Sequence, residues 1–351
     1  MKFIEENMER LLAFQKISQY VGLRAEYIQG GGGNTSVKLD ERLMAIKASG
    51  YSLKDISINK SYAVLNYKAI SDFYTLNNPT DFLDIEMEGA KEAKQSICQI
   101  EDYPALRPSV EAGFHSILGT YVIHSHSVFA NLACCSTKGI KIAEEAFKGT
   151  GIIWGYIDYI DPGAKLTFAI TDELKRVRLQ KGIGPSVLLL QNHGLIVHSD
   201  TADDCIEKHE LANKCLANAF GILVNEYPKV SIKSEGEGFI SDTPYLIEQL
   251  SSGRYPQEDL LSKPLYPDQM VFLIGTLGEK AIIDYSTGKI TYAMLQDAAQ
   301  TLEETLTAIT YISEHIRAKG YKIQTMGEAA KSFIANWESE KYRKSITEKG
   351  K

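Results

Sequence analysis

Two of the seven histidines in the chain, His124 and His126, are separated by one residue and follow an apolar stretch. On a β-strand, side chains at i and i+2 point to the same face, about 6.5–7 Å apart, so both imidazoles could reach one cation. Zinc takes nitrogen ligands at ~2.0–2.1 Å, and a catalytic zinc site keeps one coordination position open. The pattern is equally compatible with two histidines that are hydrogen-bonded to neighbours on a half-exposed strand.

A third histidine, His193, follows the apolar run 187–191 and precedes Gly194. Functional groups collect at strand ends in α/β proteins. A single histidine in such a place is more often structural, but with His124 and His126 it completes a set of three nitrogen ligands. We therefore expect one Zn²⁺ per subunit on these residues, and another divalent metal would suit the same ligands.

Two other protein classes with a His-x-His pattern do not fit the sequence. A cupin site would need a glutamate about four residues after the second histidine, where Ala130 and Asn131 stand. A metallo-β-lactamase site would need Asp and His where Val128 and Phe129 stand.

A carboxylate, Glu111, lies in the segment 107–115, which we predict to contain a helix over 109–118 with Ser109 as its N-cap. Glu111 is then a helix-dipole carboxylate or, alternatively, a general base beside the metal. His115 lies four residues later on the same helix face, and we expect it to have a supporting role rather than to bind metal. His198, His209 and His315 have no motif around them, which predicts surface or structural roles.

Several segments offer donors for a phosphate group. The run Gly30–Gly33 with Asn34 presents backbone N–H groups of the kind that form anion nests. Ser49-Gly50 and Ser109 add hydroxyl and backbone donors, so Gly33, Asn34, Ser49, Gly50 and Ser109 are candidate phosphate or substrate contacts. No Gly-Lys-Ser/Thr follows the run and the next segment is strand-like, which excludes a P-loop and a dinucleotide fingerprint.

Up to about residue 220, the predicted strands and helices that must position these groups alternate or mix along the chain. This order predicts an α/β or α+β layered domain over 1–220. Five prolines then interrupt a looser stretch, and residues 221–351 are expected to form a smaller α+β C-terminal extension or domain. The apolar patterns predict the following later elements: a long helix over 201–220, strands over 270–275 and 280–292, a helix over 295–318 and a last helix from the capping box at Thr325 to about Tyr342.

Composition restricts the class of protein. With 45 acidic and 38 basic side chains, the formal net charge of −7 argues against nucleic acid bound by bulk electrostatics. The five cysteines show no zinc-type spacing and their number is odd, which favours a reducing cytoplasm over a disulfide framework. No segment approaches the ~18 apolar residues that span a membrane, so no membrane partner is expected.

Taken together, the motifs resemble those of the class II aldolase/adducin family, which includes fuculose-phosphate and rhamnulose-phosphate aldolases and ribulose-phosphate 4-epimerase. The matching segments run in the family's order through about residue 215. They are GGGGNTSVK (30–38), KASG (47–50), RPSVEAGFH (107–115), VIHSHS (122–127) and QNHG (191–194). The later segments 266–268 and 337–343 are similar to parts of long sugar aldolases related to rhamnulose-phosphate aldolase.

The resemblance implies a three-layer α/β/α domain around a central, mainly antiparallel sheet. It also implies zinc on His124, His126 and His193, with Glu111 as the acid/base. The implied activity is cleavage of a ketose 1-phosphate to dihydroxyacetone phosphate and an aldehyde through a metal-stabilised enediolate. Epimerases, dehydratases and decarboxylases of the family would use the same site, whereas adducin-type scaffolds lack the histidines. Membership further implies a homo-oligomer, often a tetramer.

Two features depart from the family pattern. The sugar-phosphate aldolases commonly carry two serines before the glutamate, and here the second is Val110. The phosphate is therefore held differently or is absent from the substrate. Only 12 residues separate Glu111 from His124, which predicts a tight connection between helix and strand.

Overall fold

The computed structural model of the chain describes residues 2–101 and 103–336. The first part of the chain builds a seven-stranded sheet. Its strands are β1 (Asn34–Lys38), β2 (Leu43–Lys47), β3 (Tyr62–Asn66), β4 (Tyr121–Ser125), β5 (Trp154–Ile157), β6 (Val187–Leu190) and β7 (Gly194–Ser199). They lie in the order β3-β2-β1-β4-β7-β6-β5, and every neighbouring pair is antiparallel except β5 with β6. The predicted mainly antiparallel sheet is confirmed.

Both faces of this sheet are covered by helices because its central strands are apolar on both sides. On β4, Ile123 enters one hydrophobic cluster, and its neighbour Val122 enters a separate cluster on the other face. The first face packs against α1 (Lys2–Glu6), α2 (Met8–Gly22), α6 (Val128–Cys134), α7 (Gly139–Ala146) and α9 (Ala202–Ala219). The second face packs against α3 (Tyr67–Leu76), α4 (Ile85–Gln95), α5 (Ala112–Ile117) and α8 (Ala164–Lys181). The three predicted α/β/α layers are therefore present.

A helix N-cap follows the His-x-His motif directly, so strand β4 ends and helix α6 begins there. The hydroxyl of Ser127 accepts hydrogen bonds from the backbone N–H groups of Phe129 and Ala130, as an N-cap residue does. Because the strand ends at Ser125 and the helix starts at Val128, His126 lies at the junction between them.

The region after residue 220 forms a second, four-stranded antiparallel sheet with helices packed against it. Its strands are β8 (Ile232–Glu235), β9 (Gly238–Ser241), β10 (Ala281–Asp284) and β11 (Lys289–Tyr292), in the order β10-β11-β9-β8. Its helices are α10 (Pro244–Ser251), α11 (Gln257–Ser262), α12 (Pro267–Leu273), α13 (Gln296–Ala318) and α14 (Glu328–Asn336). Helix α13 packs on α6, where the ring centroids of Tyr311 and Phe129 are 6.4 Å apart. The division of the chain at residue 220 stays a prediction.

The structure corrects three sequence predictions. The segment 270–275 is not a strand, because helix α12 occupies Pro267–Leu273, with proline in its first turn where no N–H is needed. Ser109 is not the N-cap, because α5 begins at Ala112 and Glu111 stands at its N-cap position. The last helix starts at Glu328 rather than after Thr325, and the predicted part beyond 336, with the segment 337–343, lies outside the described residues.

Over residues 2–101 and 103–336, no helix has both the length and the apolar character that crossing a bilayer requires.

Candidate metal centre

His124 is fixed in the middle of the sheet. Strand β4 pairs with β1 on one side, where Asn34 faces His124, and with β7 on the other. The ring nitrogen Nδ1 of His124 lies 3.1 Å from the carbonyl oxygen of Leu195, to which it can only donate. That hydrogen bond assigns the proton to Nδ1 and leaves the lone pair of Nε2 free to face the site.

His193 is held by the tight turn that joins β6 to β7. Asn192, just before it, has a left-handed backbone (φ 50°), and the N–H of His193 donates to the carbonyl of Leu190. Gly194 begins β7 at a close approach to β4, because a Cβ there would lie 2.3 Å from the carbonyl oxygen of Ser125. The turn thereby brings His193 beside His124.

The three predicted ligands converge on one point. The Nε2 atom of His124 lies 3.2 Å from Nε2 of His193 and 3.3 Å from Nε2 of His126, and all three side chains are buried. Nitrogen ligands placed tetrahedrally around zinc at ~2.0–2.1 Å are about 3.3–3.4 Å from one another. The separations therefore fit a shared metal ion, and the cluster could bind one.

The donor chemistry also fits a cation. The Nδ1 atom of His126 lies 2.5 Å from Oδ2 of Asp268, so its Nε2, like that of His124, presents a lone pair. Facing lone pairs repel each other unless a cation or a proton lies between them. The nearby Glu111 adds negative charge, and its buried Oε1 accepts no hydrogen bond from the described residues.

Glu111 lies against the histidines. Its Oε2 is 3.6 Å from Nε2 of His124, and its Oε1 is 3.4 Å from Nε2 of His193. Burial alone would raise the pKa of Glu111, but in the metal-free site positive charge on protonated neighbouring imidazoles and a 2.6 Å hydrogen bond from Asn34 outweigh it and lower the pKa. The carboxylate is thus held in its ionised form within reach of a fourth ligand position or of a reacting proton.

Asn34 connects Glu111 to its surroundings. Its amide nitrogen donates to Glu111 and, at 3.1 Å, to the hydroxyl of Ser109, while its amide oxygen contacts Nε2 of His115. The other ring nitrogen of His115 lies 2.7 Å from the hydroxyl of Ser36. Burial lowers the pKa of His115 well below its usual range, so the ring is neutral and holds Asn34 in place.

The remaining candidate phosphate contacts lie along the same edge. The N–H of Ser49 donates to the carbonyl of Arg107, and Gly50 has a left-handed backbone (φ 83°), so the Ser49-Gly50 turn runs beside the segment that carries Ser109. Gly33 approaches β4 so closely that a Cβ would lie 2.6 Å from the carbonyl oxygen of His124.

The glycine run is less open than the sequence suggests. The N–H of Gly30 donates to Glu304, and that of Gly32 donates to the carbonyl of Gln29. These two amides are therefore used within the protein.

Sequence reasoning missed Lys47 as a site residue, although it is part of the KASG segment. Its side chain is buried, and its ammonium group donates to the carbonyl oxygens of Gly31 and Tyr51 at 2.7 and 3.1 Å. A positive charge is thus held between the glycine run and the Ser49-Gly50 turn. The signal available in the sequence was a lysine at the inner end of an apolar strand.

Sequence reasoning also missed Asp268, which approaches His126 from α12. No local pattern could have paired residues that lie 142 positions apart. Of the other histidines, His209 is buried and contacts the hydroxyl of Ser125, while His198 and His315 are partly buried away from the three-histidine cluster. His209 and His198 are therefore structural rather than exposed.

Fold and site together define a three-layer α/β/α protein with a candidate metal centre of three histidines and a glutamate. The profile of the Class II Aldolase and Adducin N-terminal domain matches residues 14–219, which is more than half of the chain. The chain belongs to the class II aldolase and adducin family. A comparison with curated protein sequences finds no match.

Solved structures of this family are similar to the chain at low sequence identity. The N-terminal class II aldolase domain of a conserved protein from Thermoplasma acidophilum is 20% identical, with 59% of this chain and 92% of that chain covered and a TM-score of 0.49. A sugar-phosphate aldolase from Thermotoga maritima is 13% identical (60% and 94% covered, TM-score 0.43). An L-fuculose 1-phosphate aldolase is 20% identical (62% and 89% covered, TM-score 0.38).

Proposed function

We propose that this protein is a zinc-dependent aldolase that cleaves a ketose 1-phosphate into dihydroxyacetone phosphate and an aldehyde. The observation that carries the proposal is the convergence of three buried imidazoles beside the carboxylate of Glu111, with Nε2 of His124 lying 3.2 Å from Nε2 of His193 and 3.3 Å from Nε2 of His126. His124, His126 and His193 would hold one zinc ion per subunit. A divalent metal bound there supplies Lewis acidity, which stabilises negative charge on oxygen as a bond breaks next to a carbonyl group.

The chain's own groups would handle the protons. In the cleavage direction, the C3–C4 bond breaks, its electron pair stays on C3, and the C4 hydroxyl proton passes to a group on the aldehyde side. Glu111, which is ionised at the start, takes up a proton from solvent and delivers it to C3, which completes dihydroxyacetone phosphate, while the C4 hydroxyl proton passes on to solvent. The 2.6 Å hydrogen bond from Asn34 orients Glu111 for this transfer, because its second oxygen is left to face the histidines.

The substrate phosphate would lie between the segments that carry Gly33, Asn34, Ser49, Gly50 and Ser109. The buried ammonium of Lys47 supports this placement, since a positive charge there favours a dianionic ligand. Lys47 would take over part of the task of the serine that Val110 replaces.

A second candidate uses the same residues for another reaction. Epimerases, dehydratases and decarboxylases in this family also pass through enediolates, and the same carboxylate and imidazoles would serve them. A non-catalytic, adducin-type scaffold would not require three buried histidines that converge beside a carboxylate.

Metal analysis combined with a substrate screen tests the proposal. We expect the purified protein to bind about one zinc ion per chain and to release dihydroxyacetone phosphate from at least one ketose 1-phosphate. His124→Ala is expected to lose both metal and turnover. Full activity of His124→Ala would refute the scheme, and epimerised rather than cleaved product would favour the second candidate.

We further infer a cytoplasmic homo-oligomer, often a tetramer in this family. All five cysteines lie within the described residues and are free, which supports a reducing compartment. Sedimentation of the purified chain measures the oligomeric state, and a monomer at micromolar concentration would contradict the inference.

A further inference from the structure

A residue of the region after position 220, Asp268, contacts one of the three histidines of the candidate metal centre. Oδ2 of Asp268, in the first turn of α12, lies 2.5 Å from Nδ1 of His126. Both side chains are buried, at 0% and 4% exposure, so water does not screen the interaction. A buried carboxylate is costly unless a positive charge or hydrogen bonds compensate it, which points to a specific purpose for Asp268.

The segment that carries Asp268 is fixed by several contacts to the first part of the chain. The amide of Asn192 donates to the carbonyl of Leu265 at 2.8 Å, next to His193. The hydroxyl of Tyr266 donates to the side chain of Gln29 at 3.1 Å. These bonds hold Leu265 and Tyr266, the two residues that precede α12, and so restrict the position of the Asp268 carboxylate.

Gly32 leaves the space that the Asp268–His126 pair fills. A Cβ on Gly32 would lie 2.3 Å from Oδ2 of Asp268 and 2.8 Å from Nδ1 of His126. Gly31, its neighbour, has nothing within 4 Å of the equivalent position. Part of the glycine run therefore serves the contact between Asp268 and His126.

We propose that Asp268 is a positioning residue of the metal centre, so that the region after residue 220 completes a site whose ligands all come from the first part of the chain. The inference rests on the proposed metal binding by His124, His126 and His193. Asp268 accepts a hydrogen bond from the Nδ1–H group of His126. This bond fixes the tautomer and the ring orientation that direct Nε2 toward the other two histidines, and it makes Nε2 a stronger ligand. Together, Asp268 and Glu111 contribute two negative charges, which balance a divalent ion.

The test measures metal affinity rather than turnover. Full-length protein is stripped of metal and titrated with Zn²⁺ in competition with a chromogenic chelator, and Co²⁺-loaded samples report the ligand field by visible absorption. Asp268→Asn removes the charge at constant size. Its matched control is Glu303→Gln, which makes the same change in a buried carboxylate of α13 that contacts Ser241 and Tyr292.

A second pair of variants reaches the same contact without altering either partner. Gly32→Ala places a methyl group against Asp268 and His126, whereas Gly31→Ala places one in open space. Neither glycine has the left-handed backbone that an alanine would strain. This pair keeps the proposal testable if Asp268→Asn does not fold.

We expect Asp268→Asn and Gly32→Ala to raise the Kd for Zn²⁺ by about 10–100-fold and to change the Co²⁺ spectrum. Glu303→Gln and Gly31→Ala should leave both unchanged. Wild-type affinity in folded Asp268→Asn and Gly32→Ala, with metal lost in His124→Ala, would overturn this inference alone. Wild-type affinity in His124→Ala would instead overturn the metal site of the proposed function.

Discussion

Asn192 donates a hydrogen bond from its side-chain amide to the backbone carbonyl of Leu265, at 2.8 Å, and the same amide donates to the carbonyl of Gln324 at 2.7 Å. The residue also adopts the left-handed backbone that shapes the turn before His193. One side chain therefore ties two segments of the later region to the loop that presents a candidate metal ligand.

This arrangement predicts different costs for two substitutions of Asn192. Asn192→Gly keeps the backbone conformation but removes a donor from two carbonyl groups, so the free energy of unfolding of the metal-free protein should fall by about 1–3 kcal/mol. Asn192→Ala should be destabilised by roughly 1 kcal/mol more, because alanine is strained in the left-handed region. Urea denaturation measures both, and a glycine variant as stable as the wild type would contradict the assigned hydrogen bonds.

Glu111→Gln is predicted to separate metal binding from proton transfer. The glutamine oxygen can still accept the hydrogen bond from Asn34, so the site should keep its shape and its metal. Loss of the acid/base should slow exchange of the C3 proton of dihydroxyacetone phosphate with solvent by about 10²–10⁴-fold. Deuterium incorporation followed by NMR measures this rate, with metal content as the control. An unchanged rate would remove Glu111 from the mechanism.

Lys47→Gln is predicted to weaken binding of a phosphorylated substrate. Loss of one charge-assisted contact of about 1.5–3 kcal/mol corresponds to a KM raised roughly 10–100-fold. The control is Lys38→Gln, which changes a half-buried lysine on the neighbouring strand whose ammonium donates to the carbonyl of Leu118 instead. Lys38→Gln should leave KM unchanged. Equal effects of both variants would indicate general destabilisation rather than a phosphate contact.

The stability of the metal-free protein is predicted to fall in weak acid through His198. Burial lowers the pKa of His198 to about 4, against 6.5 for a free histidine. The hydrogen bond to the carbonyl of Pro185 opposes this shift, as does Asp200, whereas the nearby Lys208 and Lys38 act in the same direction as burial. Nε2 of the neutral ring contacts the carbonyl of Pro185, and Nδ1 accepts from the N–H of Gly119, so a proton on Nδ1 would face a donor.

The direction in which stability changes with pH follows from proton binding at His198. Between pH 6.5 and 4 the unfolded chain binds more protons at this position than the folded chain, so stability falls as pH falls through that window. The contribution of His198 reaches up to about 3 kcal/mol. Urea denaturation at pH 6.5, 5.5 and 4.5 should show a weaker pH dependence in His198→Gln than in the wild type. Identical slopes would show that His198 does not govern the acid sensitivity.

The three-histidine cluster could be predicted from the sequence because the relevant signals are local, whereas the mainly antiparallel central sheet was implied by the resemblance to the family. His124 and His126 share a strand face by a period of two, and His193 follows an apolar run that could only be a buried strand or helix. The predicted strand at 270–275 was wrong because a short apolar run is ambiguous on periodicity alone. Pro267 and Asp268 are signals of a helix start, and they resolve this ambiguity in favour of a helix.

The contacts that complete the site could not be predicted, because they depend on how distant segments pack. Asp268 lies on α12, which packs on α13, and α13 in turn packs on α6; nothing near position 268 indicates His126 as its partner. The role of Lys47 could not be predicted for a related reason. The carbonyl groups that hold its ammonium belong to Gly31, which precedes β1, and to Tyr51, which follows β2.

The steric contact at Gly32 links the evolution of two distant positions. A side chain at position 32 would meet both Oδ2 of Asp268 and Nδ1 of His126, so a chain that carries both residues leaves no room for one there. Long members of the family that keep the aspartate and the histidine should therefore keep the glycine. Aligned sequences that keep those two residues and lack the glycine would mark lineages in which this end of the site has been rebuilt.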